Sequence, residues 1–342
     1  MASARRSEQG QALVLIVVFM FVLLGMCGLA IDVGLWYQDK RSVQASADAA
    51  ALAGASVLPV NWGTAQTTAN NEFNTNKKAG DSVSISNTTT LTNNDSVKVT
   101  VTRTSPSFFA KLLGKNSVTV RASATATVKT VTTLAPGFDV MPWGVPKNDY
   151  AFAQEYSLYT NSPNNANNGA LSLPYQSGPN CPTPNGANPY RDEIAGVIDA
   201  CAIQVGEVLD EKTGNNTGPT SQGLNSRIST WKTFDQIVQP TGNDTYTVLD
   251  NSTRQLVLIP VVTNLQGGST WPHNAPYQVR VVGFAWFVIE SCGPVDNPSY
   301  CANSDGYQVN GRFVRLQDTD PANELGGYDP NAGSDYQVEL TA

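Results

Sequence analysis

Residues 11–31 read QALVLIVVFMFVLLGMCGLAI, 21 positions without a charged side chain. At about 1.5 Å per helical residue this run spans about 30 Å, the thickness of a bilayer's hydrocarbon core. Arg5 and Arg6 precede it, and Asp32 follows it directly. A secretory leader also joins basic residues to an apolar run, but its apolar part is about 7–15 residues long and ends at a small-residue cleavage site. Here the run is longer and helix-compatible sequence continues past it. A retained membrane anchor bounded by Gln11 and Ile31 is therefore preferred over a removed leader. The basic flank assigns residues 1–10 to the cytoplasm and everything beyond residue 31 to the outside.

Composition agrees with an exported chain. Of 342 residues only 14% are charged, the net charge is −7, and Asn, Thr, Ser and Gly are abundant after position 60. There is no basic footprint for nucleic acid. Cys27 lies inside the apolar run, which leaves Cys181, Cys201, Cys292 and Cys301 for an oxidising compartment, with three possible connectivities. Pairing Cys181 with Cys201 and Cys292 with Cys301 is favoured, because each pair closes a short loop rich in Pro, Asn and Gly. Their spacing fits no zinc site.

From Val33 to Val57 the sequence contains no proline and is crowded with alanine, so the membrane helix is expected to continue outward as one rod. Ala45, Asp48, Ala49, Leu52, Ala53 and Ser56 share one face at helical spacing. That face packs either on the chain's own domain or on a neighbouring subunit. A polar helix is expected over 64–77. The period then changes to two: Val83 and Ile85, then Val97, Val99 and Val101, then Val118 to Val128, each alternating with polar residues. Between the last two runs lies SPSFFAKLLG, a short helix capped by Ser105 or Ser107 and closed by Gly114.

Residues 135–146, APGFDVMPWGVP, hold three prolines and two glycines and read as a linker. Beyond it, an amphipathic helix fits Asp192 to Ala202, with Ile194, Val197, Ile198 and Cys201 inward. Strands fit 256–262, 278–290 and 311–316, the middle one apolar enough to be buried on both faces. An acidic Gly/Asn/Pro-rich tail follows. The expected architecture is α+β: a transmembrane helix (11–31), a helix-plus-antiparallel-sheet unit (32–134), the linker (135–146) and a β-rich extracytoplasmic domain (147–342).

Catalytic chemistry finds little support. His273 is the only histidine and has no GxSxG partner motif, and no phosphate-binding loop is present. Asp318, Asp320, Glu324, Asp329 and Asp335 cluster among turn residues, but without an EF-hand pattern. No catalytic, cofactor or metal residue is assigned.

The segment EQGQALVLIVVFMFVLLGMCGLAIDVGLWYQDKRSVQASADAAALAGA resembles the TadE/TadG-like family of Flp (tight adherence) pilus-assembly proteins. The likeness rests on Gly10 and Gln11 before the apolar run, on Asp32 and Gly34 just outside it, and on the block from Gln44 through Asp48, Ala49, Ala50 and Leu52 to Gly54. It covers about the first 55 residues and is closest to the TadG-like members. It implies a bacterial, membrane-anchored, noncatalytic minor pilin or assembly component. Expected partners are pilus subunits, Tad assembly membrane proteins and membrane lipid, with surface adhesion as a downstream role. One departure stands out. Prepilin peptidase sites of this kind carry glutamate at the fifth mature position, whereas the fifth residue after Gly10 is Leu15, and Glu8 precedes the glycine. A permanent anchor fits better than a cleaved major pilin. The alternative is a stand-alone, membrane-anchored adhesin or ligand-binding protein.

Overall fold

A computed structural model describes residues 8–58, 61–87, 95–147, 151–162, 165–177, 180–183, 186–242, 245–250, 252–265, 278–294, 301, 307–317, 323–327 and 335–341. Helix α1, Glu8–Ala55, is unbroken for 48 residues, about 72 Å at the standard helical rise. Only its outer half is covered. From Leu13 to Ile31 the large apolar side chains are exposed. It is the one described helix long and apolar enough to cross a membrane.

Helix α2, Trp62–Asn76, is started by Asn61, whose Oδ1 accepts the Thr64 N–H at 3.3 Å. It buries Ala65, Ala69 and Phe73, one stripe at i, i+4 and i+8. The two helices approach closely at Gly54. A Cβ there would lie 3.0 Å from Ala69 Cβ, 3.1 Å from the Ala65 carbonyl oxygen and 3.2 Å from Val97 Cγ1.

Strands β1 (Ser82–Asn87), β2 (Ser96–Pro106) and β3 (Ser117–Leu134) form an antiparallel meander, with Val83 opposite Val101 and Val97 opposite Ala126. Residues 97, 99 and 101 of β2 and 120, 122, 124 and 126 of β3 point inward against α1, which contributes Val43, Ala47, Ala50, Ala51 and Ala55. The rod thus packs on its own domain. Its buried stripe is rotated from the one expected: Ala45 is exposed, and Asp48, Ala49, Leu52, Ala53 and Ser56 are only half-buried. Val43 and Leu58, the large apolar residues at the two ends, set the phase of the core face.

The far edge of β3 is covered by the strand Asp335–Thr341, with Tyr336 opposite Thr130, and the Tyr336 hydroxyl donates to the Ser56 carbonyl at 3.2 Å. The segment expected as an acidic tail therefore ends in a strand of the first sheet. Its alternation of Tyr336, Val338 and Leu340 is the signal that the Gly/Asn/Pro-rich surroundings obscured.

A second sheet is built on Gln278–Pro294, whose neighbours are Leu256–Asn264 on one side and Tyr307–Val314, then Glu155–Ser162, on the other. Val281, Phe284, Ala285, Phe287, Val288 and Ile289 are all buried, so this strand is covered on both faces. One face holds Trp143, Tyr190, Ile194, Leu224, Phe287 and Phe313. The other packs Val281 and Phe284 against Val131 and Leu134 at the end of β3, joining the two sheets.

Residues 135–146 are no exposed linker. Met141, Trp143 and Val145 are fully buried, Val145 pairs in parallel with Val261, and Asp139 is held by Arg227. Helix α3 runs over Ala187–Ala195, earlier than expected, because Gly196 adopts a left-handed conformation (φ 65°) and its N–H turns back to the Asp192 and Glu193 carbonyls. Ile194 is buried as expected, whereas Val197 is exposed beyond the helix end. Helix α4, Thr217–Arg227, crosses α3 closely at Gly223, where a Cβ would lie 2.7 Å from Ile194. Cys181–Cys201 and Cys292–Cys301 stand at disulfide distance, with Cα–Cα separations of 6.0 and 4.9 Å, and Cys27 is free.

Candidate functional site

Where α1 leaves its apolar run, Asp32 is fully buried. Its carboxylate accepts three backbone hydrogen bonds, from Phe108 and Phe109 at 2.9 Å each and from Ala110 at 2.6 Å. These amides open the short 3-10 turn Ala110–Leu113, which closes on Gly114 in a left-handed conformation (φ 82°). The first N–H groups of such a turn lack internal acceptors, and a carboxylate placed there satisfies them. The cap is therefore supplied from the helix, not by Ser105 or Ser107 as the local sequence suggested. Ser105 instead donates to Asp39 at 2.7 Å, and the Ser107 hydroxyl has no partner among the described residues. Desolvation pushes the Asp32 carboxyl up, but the three donors together outweigh it and hold it below the usual range.

Two turns further along, Asp39 meets Arg103, which is almost fully buried and donates to Asp39 at 2.9 Å and to both oxygens of Asp81 at 2.7 Å. Both carboxyls are lowered. For Asp39, burial works against the Ser105 and Arg103 hydrogen bonds, and for Asp81 the Arg103 hydrogen bonds dominate. Above this clasp Lys40 donates to the Arg121 carbonyl, and Gln44 donates to Asp48 at 2.7 Å and to the Ser123 carbonyl at 3.3 Å. Gln44 and Asp48, the first residues of the Ala-rich block, thus form an i, i+4 pair that ties the helix to β3. Ala50 and Gly54 carry the buried contact, and Ala49 and Leu52 flank it.

Gly34 plays no comparable part, since a Cβ there would meet nothing within 4 Å. Gly10 lies in the first turns of α1. The packing role of Gly28 was missed, since the sequence offers it only as a small residue that could mimic a cleavage site, yet a Cβ there would fall 2.6 Å from the Phe109 ring. Arg103 was missed too, although it occupies an inward position of β2 in register with Val97, Val99 and Val101. A charge in that register signals a buried partner.

In the second region, Glu193 on α3 is buried, and neither carboxylate oxygen has a hydrogen-bond partner among the described residues. Burial pushes its carboxyl up to about 8, against the opposing pull of Lys212. Among the described residues no three His, Cys, Asp or Glu side chains gather as metal ligands do. His273, Asp318, Asp320 and Asp329 lie outside the described residues.

The features at the foot and along the outer half of α1 fall within one stretch that a protein-family model matches. That family is described as putative Flp pilus-assembly TadE/G-like, and the match covers residues 10–57. Residues 10–57 are similar to the TadE/G-like family. The description takes in TadE-like and TadG-like proteins alike. The chain matches no curated protein and no solved structure. The TadE/G-like segment coincides almost end to end with α1, so its Asp32 and its Gln44–Gly54 block act here as fastenings between a rod and the sheet it carries.

Proposed function

We propose that this chain is a noncatalytic component of a bacterial Flp-type pilus apparatus, a TadG-like minor pilin or assembly protein held in the cytoplasmic membrane. Residues 11–31 cross the bilayer with the N-terminus inside, following Arg5 and Arg6. The helix-plus-sheet unit and the second sheet stand outside, available to pilus subunits and to Tad assembly membrane proteins. The observation that carries this reading is the coincidence of the TadE/G-like match with the one described helix fit to span a membrane. Leu15 at the position where a processed pilin carries glutamate favours a helix that stays in the membrane.

Deleting the gene and scoring surface filaments by electron microscopy tests it. Loss of pili, restored by the full chain, is the expected result. Undiminished pili with lost adhesion would point to the adhesin alternative, and a genome without a Tad secretion ATPase would contradict the pilus reading. Protease added to spheroplasts is expected to digest the region beyond residue 31 and to spare residues 1–10.

A further inference from the structure

The β2–β3 hairpin runs alongside the outer half of α1, and its tip, Ser107–Asn116, lies beside the end of the apolar run. The tip is apolar where it is exposed. Phe108, Phe109, Leu112 and Leu113 are 63, 43, 86 and 75% exposed, four large side chains within six residues. Among the described residues beyond α1, no other stretch gathers four exposed large apolar side chains so closely, and isolated ones are an ordinary feature of protein surfaces. We propose that this tip is inserted into the outer leaflet of the same membrane that α1 crosses, so that the folded region touches the bilayer at two points. The proposal rests on the reading of residues 11–31 as a membrane span.

Depth is the first argument. Phe109 packs on Gly28, so closely that a Cβ on the glycine would be 2.6 Å from the ring. Gly28 lies inside the apolar run, four residues before Asp32, or about 6 Å deeper along the helix axis. If Gly28 is in lipid, Phe109 is too. Continuity with the span therefore assigns the occupant, because the surface next to Gly28 is acyl chain.

Backbone chemistry is the second argument. Peptide groups entering hydrocarbon need internal partners, and the N–H groups of Ser107, Phe108, Phe109, Ala110, Leu112, Gly114 and Lys115 have them. Asp32 accepts from 108, 109 and 110, and Ser107 N–H donates to the Asn116 carbonyl. Leu112 N–H donates to Phe109, Gly114 to Lys111 and Lys115 to Ala110. An aspartate at the membrane boundary is thereby satisfied without water, and the turn it caps has no free N–H at residues 108–110.

Charge is the third. Lys111 and Lys115 are exposed on the tip. Long ammonium side chains on an otherwise apolar loop reach back to headgroup phosphates while their stems stay in the apolar layer.

The test uses the full-length protein with Cys27→Ser, reconstituted in phosphatidylglycerol-containing vesicles with and without brominated acyl chains. A single cysteine at Leu113→Cys carries an environment-sensitive fluorophore, and the same label at Val18→Cys and at Val197→Cys marks the span and the distal surface. Bromine is expected to quench positions 18 and 113 at least twofold and to leave position 197 unchanged. Quenching at 18 without quenching at 113 would overturn the inference while the membrane span stands. No quenching at either would overturn both. Energy transfer between two labelled copies at position 113, with no bromine quenching, would assign the tip to a second copy of the chain and equally overturn it. Leu112→Cys repeats the measurement from a second exposed position.

Discussion

The two sheets are filled in opposite ways. Around α1 the core is mostly alanine and valine, Ala47, Ala50, Ala51, Ala55, Ala65, Ala69, Ala122, Ala124 and Ala126 with six valines, and Leu58, Phe73 and Tyr336 are its larger buried members. The second sheet buries Trp143, Tyr190, Phe284, Phe287 and Phe313. Small side chains let a long, straight helix lie close to a sheet along several turns, and little apolar area is buried per residue. Fastening therefore falls to specific polar contacts, those of Asp32, Asp39 with Arg103, and Gln44. The second region is crossed by loops and short helices, and its large side chains and cysteine pairs hold it.

The contrast breaks most sharply under truncation and enlargement. Phe287→Ala is expected to destabilise the second region by about 3–5 kcal/mol, through lost burial and the cavity left behind, as read by denaturant unfolding in detergent. In the first region the damaging change is the loss of a fastening. Arg103→Met strips the buried Asp81 of its hydrogen-bonded cation and leaves Asp39 only the exposed Lys78 at 3.7 Å, and is expected to cost about 3 kcal/mol, at the lower end for a buried pair because Asp39 is partly exposed and keeps that second cation. Enlarging the small-residue core comes next. Ala51→Leu overfills the gap between α1 and the sheet and is expected to cost about 1–3 kcal/mol. An Ala51→Leu protein as stable as wild type would show that the helix does not lie this close.

Proton linkage sharpens the comparison, because the regions respond with opposite sign. Asp39 and Asp81 titrate below their ordinary range when folded. Their contribution is complete above the unfolded carboxylate value and is lost as pH falls through the lowered folded values. Glu193 titrates near 8 when folded and near 4.5 when unfolded, so it costs nothing in acid. Between those two values the unfolded state has released a proton that the native state keeps. Stability therefore falls as pH rises, by about 1.4 kcal/mol per pH unit for this one group. Glu193→Gln is expected to flatten that slope, and an unchanged slope would mean that Glu193 is charged and paired in the native protein.

Much of the first region was legible because its chemistry is local. The 21-residue apolar run, the alanine block and the period-two valines each announce an element within a short window. What the sequence hid was long-range. Asp32 caps a turn 76 residues away, and Tyr336 completes a sheet begun at Ser82. Local signals misled where a stronger partner existed elsewhere. Ser105 and Ser107 stand where a cap belongs, yet the carboxylate of Asp32 outcompetes a hydroxyl for three amides. Likewise the Pro- and Gly-rich stretch 135–146 has the composition of a linker, but Met141, Trp143 and Val145 within it bury apolar surface that no exposed linker retains.

The central claim is that the TadE/G-like helix is fastened along its outer half to the sheet of its own chain. Cysteines at Gln44→Cys and Ser123→Cys, in a Cys27→Ser background, test it in intact cells under mild oxidation or with a short bifunctional crosslinker. The account predicts a crosslink within one chain, seen as a monomer of altered mobility that persists when pili are assembled. Crosslinks found only between chains, in dimers or ladders with other subunits, would contradict it.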